Sequence, residues 1–117
     1  MIIEDQLSTR KLLSNYLANY FTVTEFENVK LALASMSNGN LPNAIVSDIL
    51  MPEMTGMDLL RNLKELTGVN APPVIVLSSV ENSSEKLKCF ELGAKDYLMK
   101  PFNPEELKLR LNNLLNN

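Results

Sequence analysis

Two short segments limit the folds open to this chain more than anything else in it. Ala44-Ile45-Val46-Ser47 and Val74-Ile75-Val76-Leu77 contain a single polar side chain between them. Side chains of a strand alternate between its faces, so such runs are apolar on both faces and need cover on both. Amphipathic segments between the runs can supply it. Leu12, Leu13, Tyr16, Leu17 and Tyr20 recur at helical spacing, as do Met57, Leu60 and Leu63, and Leu107, Leu111, Leu114 and Leu115. Further short apolar runs at residues 1–3, 21–26 and 97–99 make strand and helix alternate five times. That alternation predicts an α/β domain with a doubly wound, five-stranded parallel sheet, (βα)5, right-handed crossovers and helices on both faces.

Local signals mark the helix ends. Asn28 before V-K-L-A-L-A-S-M is a predicted N-cap with Gly39 among the terminating residues, and Gly93 after C-F-E-L is a predicted C′ residue. In N-P-E-E, Asn103 caps the last helix, Pro104 takes its first position and Glu106 reaches back from the third.

Composition removes many functions. With 45% hydrophobic and 21% charged residues over 117 positions, the chain suits one soluble, cytoplasmic domain rather than a disordered segment. Eleven basic against fourteen acidic side chains leave a net charge of −3, with no electrostatic footprint for nucleic acid or an anionic membrane. The lone Cys89 excludes an internal disulfide, and the absence of histidine excludes a Cys/His zinc site and a histidine general base. No apolar run approaches the ~20 residues of a membrane span, and the first residues do not read as a signal peptide.

In open parallel sheets, sites form outside the carboxyl ends of the strands. Those ends here carry Glu4-Asp5, Asp48, Ser78-Ser79 and Lys100. Asp48 stands between Ala44-Ile45-Val46 and Ile49-Leu50-Met51, where a carboxylate is costly unless compensated. Three clustered carboxylates repel one another unless protonated or neutralised. Oxygen ligands alone suit a hard ion, Mg²⁺ or Mn²⁺, which often bridges to phosphate. Taken singly, Asp48 could cap a turn, Lys100 could be a solvated surface lysine and Ser78 could simply end a strand. Their joint placement predicts a magnesium-dependent phosphoryl site with Asp48 as nucleophile, Lys100 and Ser78 on phosphoryl oxygens, and the first-strand acids on the metal.

I-I-E-D, S-D-I-L-M-P-E-M-T-G, P-V-I-V-L-S-S and G-A-K-D-Y-L-M-K-P-F, in that order, resemble the receiver domain of bacterial two-component response regulators. The resemblance covers residues 1–117 as a single receiver domain, stand-alone or cut from a longer regulator or hybrid kinase. It implies a flavodoxin-like strand order 2-1-3-4-5, with a first strand shorter than the family's usual one. It makes Asp48 the phosphoacceptor, served by a histidine kinase or histidine phosphotransfer protein. Asp5 and Asp48 would ligate Mg²⁺ directly, Glu4 through water and Leu50 through its backbone carbonyl. Lys100 matches the family's lysine, Pro101 the proline after a cis bond and Gly56 the glycine of the loop after the acceptor. Ser78 and Tyr97 match the hydroxyl and aromatic switches, with Tyr97 turning inward on phosphorylation. The implied readout face is the fourth helix, fifth strand and fifth helix, acting on an output domain or downstream protein, or through a phosphorylation-dependent homodimer. Leu50 and Val80, two residues past Asp48 and Ser78, are apolar where a polar side chain could orient water, which predicts slow self-dephosphorylation.

Three other readings compete. A flavodoxin-like cofactor binder should have a Ser/Thr/Gly-rich loop where E-D-Q stands. An aspartyl-phosphate hydrolase usually has a carboxylate where Leu50 stands. A receiver serving only as an unphosphorylated binding module is disfavoured by the complete set of site residues.

Overall fold

The apolar runs form strands and the amphipathic segments form helices, in the predicted alternation. The computed structural model describes residues 1–79 and 81–116. The strands are β1 (Ile2–Ile3), β2 (Glu25–Phe26), β3 (Ile45–Asp48), β4 (Val74–Ser78) and β5 (Asp96–Met99). Between and after them lie α1 (Leu7–Leu17), α2 (Val29–Ser37), α3 (Gly56–Thr67), α4 (Ser83–Glu91) and α5 (Pro104–Leu115), with a 3-10 turn at Gly68–Asn70 before β4. All pairings are parallel and the order is β2-β1-β3-β4-β5, the flavodoxin-like arrangement.

The sheet divides the core into two layers. On one side Ile3, Ile45, Val74, Val76 and Tyr97 pack with Val29 and Met36 of α2, Leu59, Leu60 and Leu63 of α3, and Cys89 of α4. On the other side Ile2, Val46, Ile75, Leu77 and Leu98 pack with Leu13 and Leu17 of α1 and Leu107 and Leu111 of α5. Burial of each such aliphatic side chain stabilises the fold by about 1.5–3 kcal/mol, so both faces of the β3–β4 centre are firmly held.

Three local expectations need correction. The second strand pairs only over Glu25–Phe26 rather than across 21–26, because its sole neighbour β1 offers two residues; Phe21 and Val23 instead pack against the α1/α5 layer. Leu12, grouped by spacing with the inward face of α1, is 71% exposed. Asn103 does cap α5, accepting from the Glu105 backbone N–H at 2.9 Å, with Pro104 in the first turn. Glu106, however, accepts from Arg110 one turn on at 2.9 Å; a charge-assisted contact with guanidinium outcompetes a backbone N–H. Asn28 caps α2 as predicted, accepting from the Leu31 N–H at 2.8 Å. The reciprocal box forms at α3 instead, where Thr55 and Asp58 exchange side chain-to-backbone bonds of 2.9 and 3.2 Å.

No helix among the described residues is long and apolar enough to cross a membrane.

Candidate phosphoryl-acceptor site

Sheet register brings the acids together. Ile3 pairs with Ser47, so Glu4 and Asp48, each one residue further on, leave adjacent strands side by side. Asp48 pairs with Leu77, placing Ser78 on the next strand one residue past the level of Asp48, and Ser78 pairs with Met99, the residue before Lys100. The Lys100 backbone N–H donates to the Ser78 carbonyl at 2.7 Å, and the following Lys100–Pro101 peptide is cis, as the resemblance implied.

From that position Lys100 Nζ donates to Asp48 Oδ2 at 2.9 Å and to Glu4 Oε1 at 3.1 Å. Glu4, Asp5 and Asp48 each offer a carboxylate oxygen within 4.8 Å of the other two. Glu4 is buried, Asp48 nearly so and Asp5 exposed. Burial pushes the Glu4 carboxyl above its ordinary 4.5; the Lys100 hydrogen bond opposes this, while Asp5 and Asp48 reinforce it. Burial would also lower the Lys100 ammonium, but hydrogen bonds and charge from Asp48 and Glu4 prevail and hold it above 10.5. One ammonium therefore faces three carboxylates. The remaining negative charge and the all-oxygen donor set fit a hard divalent cation and nothing softer.

The loop after β3 is shaped by close backbone contact. Gly56 begins α3 and donates to the Ile49 carbonyl at 2.9 Å. A Cβ there would stand 3.0 Å from Ile49 Cα and 3.1 Å from the Asp48 carbonyl oxygen, so glycine lets α3 start directly against the end of β3.

With that geometry, the sequence relationship is decisive: residues 1–112 match the response regulator receiver domain family. The chain belongs to this family. Receiver domains bind Mg²⁺ at an acidic pocket and are phosphorylated by histidine kinases, acting as regulators in two-component signalling rather than as classical enzymes. The chain is 32% identical over 116 residues to two-component response regulator ORR3 of Oryza sativa subsp. indica, covering 98% of this chain and 88% of that protein. It is 38% identical over all 117 residues to histidine kinase P4 of Formosa agariphila, of which it spans 8%. Chemotaxis protein CheY4 of Vibrio cholerae superposes with a TM-score of 0.88 at 28% identity, covering 97% of this chain and 95% of that one.

Ser78 and Tyr97 converge on α4. Ser78 is fully buried and donates to Glu85 Oε1 of α4 at 3.3 Å. Tyr97 is 7% exposed, and its hydroxyl donates to the same oxygen at 2.9 Å. The Tyr97 ring is therefore buried beneath α4 in this structure. The Leu50 side chain is exposed. Val80 lies outside the described residues.

Two supporting residues carry no signal in motif spacing. Arg10 donates to the Glu4 carbonyl at 2.8 Å and reaches Glu25 of β2 at 3.4 Å, tying Glu4 to α1. Glu53 adopts φ +69° in the loop after the acceptor.

Proposed function

We infer that Asp48 accepts a phosphoryl group from a phosphohistidine on a partner histidine kinase or histidine phosphotransfer protein. The observation that carries this reading is the Lys100 ammonium held between Asp48 and Glu4, at 2.9 and 3.1 Å, with Asp5 completing the acidic trio. An Asp48 carboxylate oxygen attacks phosphorus as the P–N bond breaks; the imidazole leaves with the electron pair and takes up a proton. Because the chain contains no histidine, the donor comes from another molecule or another part of a longer one. Lys100 neutralises one phosphoryl oxygen and Ser78 donates a hydrogen bond to another. Asp5, Asp48, the Leu50 carbonyl and, through water, Glu4 would hold Mg²⁺ or Mn²⁺, which when bound supplies further positive charge to the phosphoryl oxygens.

Phosphorylation adds about −1.5 to −2 of charge, so contacts to Ser78 and Lys100 strengthen only in the modified state and bias the switch. The signal passes through Ser78 and Tyr97 to α4, β5 and α5, in the cytoplasm, for an output domain, a downstream protein or a phosphorylation-dependent homodimer. Residues 1–117 act as one receiver unit. Leu50 and Val80, two residues past Asp48 and Ser78 in sequence, are apolar where a polar side chain could orient an attacking water, which favours slow self-dephosphorylation; Val80→Glu should accelerate acyl-phosphate decay.

The test is incubation with Mg²⁺ and acetyl phosphate, followed by intact mass measurement. Wild type should gain one phosphoryl mass and Asp48→Asn none. Labelling that persists in Asp48→Asn, or no labelling of wild type, would overturn the assignment.

A further inference from the structure

Glu85 occupies the third position of α4, directly after the Asn82 cap, whose side chain accepts from the Glu85 N–H at 3.0 Å. At the equivalent position of α3, Asp58 turns back to its own cap residue Thr55. In α4 the carboxylate turns inward, where a single oxygen accepts from two hydroxyls on different strands: Ser78 of β4 at 3.3 Å and Tyr97 of β5 at 2.9 Å. Lys86 Nζ lies 5.9 Å from the Tyr97 ring centroid and closes the outer side. Glu85 is half-buried, and Ser78 is fully buried, so the carboxylate is held in a confined setting where each donor counts.

A serine hydroxyl has one proton to donate. It can go to Glu85 or to a phosphoryl oxygen on Asp48, but not to both. We propose that Glu85 is a positioning residue which holds the Ser78 hydroxyl away from the acceptor until phosphorylation competes it off, coupling occupancy of Asp48 to the first turn of α4. The inference rests on the reading of Asp48 as acceptor. Loss of Ser78 leaves Tyr97 as a hydroxyl donor to the Glu85 oxygen, and the α4 N-terminus loses its hydrogen bond to β4 through Ser78. Signal transfer to α4 then follows from this exchange of partners.

Competition sets the sign of the test. Releasing the hydroxyl in advance should make the phosphorylated state easier to reach. Isothermal titration of the whole chain with beryllofluoride, a phosphoryl mimic, in excess Mg²⁺ reads that directly. Glu85→Ala should bind about tenfold more tightly than wild type, the equivalent of one net hydrogen bond, and Glu85→Gln, a weaker acceptor, about threefold more tightly. In a Ser78→Ala background the same Glu85 substitutions should change affinity by less than about twofold, because the competition acts only through that hydroxyl. Unchanged or weaker binding by both Glu85 variants overturns the proposal, as does an undiminished gain in Ser78→Ala. A wild type that binds no more beryllofluoride than Asp48→Asn overturns the acceptor assignment itself, a distinguishable failure. Unfolding curves for each variant confirm that folded protein is being titrated.

Discussion

Replacing Lys100 by methionine keeps an apolar stem and removes the ammonium between Asp48 and Glu4. At about 3 Å each contact carries roughly 5 kcal/mol of Coulomb energy at an effective dielectric constant near 20. That gross figure overstates the loss, since desolvation of the three ions opposes it and Glu4 has an escape: it can take up a proton. At about pH 7, protonating a carboxyl whose ordinary value is 4.5 costs about 3.4 kcal/mol, at 1.36 kcal/mol per pH unit. That figure caps the penalty from Glu4, and at about pH 5.5 the cap falls to about 1.4 kcal/mol. Asp48 retains some access to solvent and relaxes by turning outward.

The expected loss for Lys100→Met is therefore about 2–3 kcal/mol near pH 7 and about 1 kcal/mol near pH 5.5. The direction follows from linkage. Removing the ammonium raises the folded-state pKa of Glu4 further above 4.5, so the associated stability is fully present below that value and is lost as pH rises through the folded pKa. Urea titrations followed by circular dichroism in chelator, at both pH values, measure it. Added Mg²⁺ should restore more stability to the variant than to wild type, because binding no longer opposes a resident cation. A deficit above about 4 kcal/mol, or one equal at the two pH values, would refute the proton-escape argument.

Gly56→Ala forces a Cβ to within 3.0 Å of Ile49 Cα; a loss of about 1–3 kcal/mol in urea unfolding and slower labelling by acetyl phosphate are expected. Glu53→Gly should relieve the φ of +69°, raising stability by about 0.5 kcal/mol after the entropy cost of glycine, measurable as a small rise in Tm. The Tyr97 phenol lies above its ordinary 10.0 through burial first, with the Glu85 carboxylate adding to it. Glu85→Gln should shift one tyrosine to lower pH in an ultraviolet titration of phenolate. Wild type should also lose the associated stability as pH rises through the raised Tyr97 value, this being present in full below 10.0.

Strand and site were readable from the sequence for the same physical reason. Runs such as Val74 to Leu77 are apolar on both faces only where helices cover both, and in a parallel sheet the residues that end those runs share one edge. Asp48, Lys100, Glu4 and Asp5 therefore follow from pattern plus topology, and the ladder register lets Lys100 meet Asp48 and Glu4, with Asp5 close by. Competition between partners is not legible in the same way. Glu106 had a cap N–H and Arg110 within reach, and the choice depended on side-chain geometry. Leu12 fits the helical spacing of α1, yet the face that α1 buries runs through Leu13, Ser14 and Leu17 and leaves Leu12 outside. Glu85 reads as an ordinary acidic first-turn residue until α4 is docked, because its two hydroxyl partners arrive from strands seven and twelve residues away. Arg10 likewise gains its role only when α1 crosses β1 and β2.

The partition of the interior by the sheet has a consequence for how this domain tolerates change. The Asp48–Lys100 edge is reached from both halves, but α2, α3 and α4 share one set of apolar contacts and α1 and α5 share another. Substitutions on opposite sides meet only through a backbone ladder that side-chain changes barely strain, so their effects on stability add, whereas pairs on one side interfere. Repacking around Cys89 and Tyr97 on the α2–α3–α4 side can then proceed without disturbing the contacts of Leu13, Leu17, Leu107 and Leu111 on the α1–α5 side.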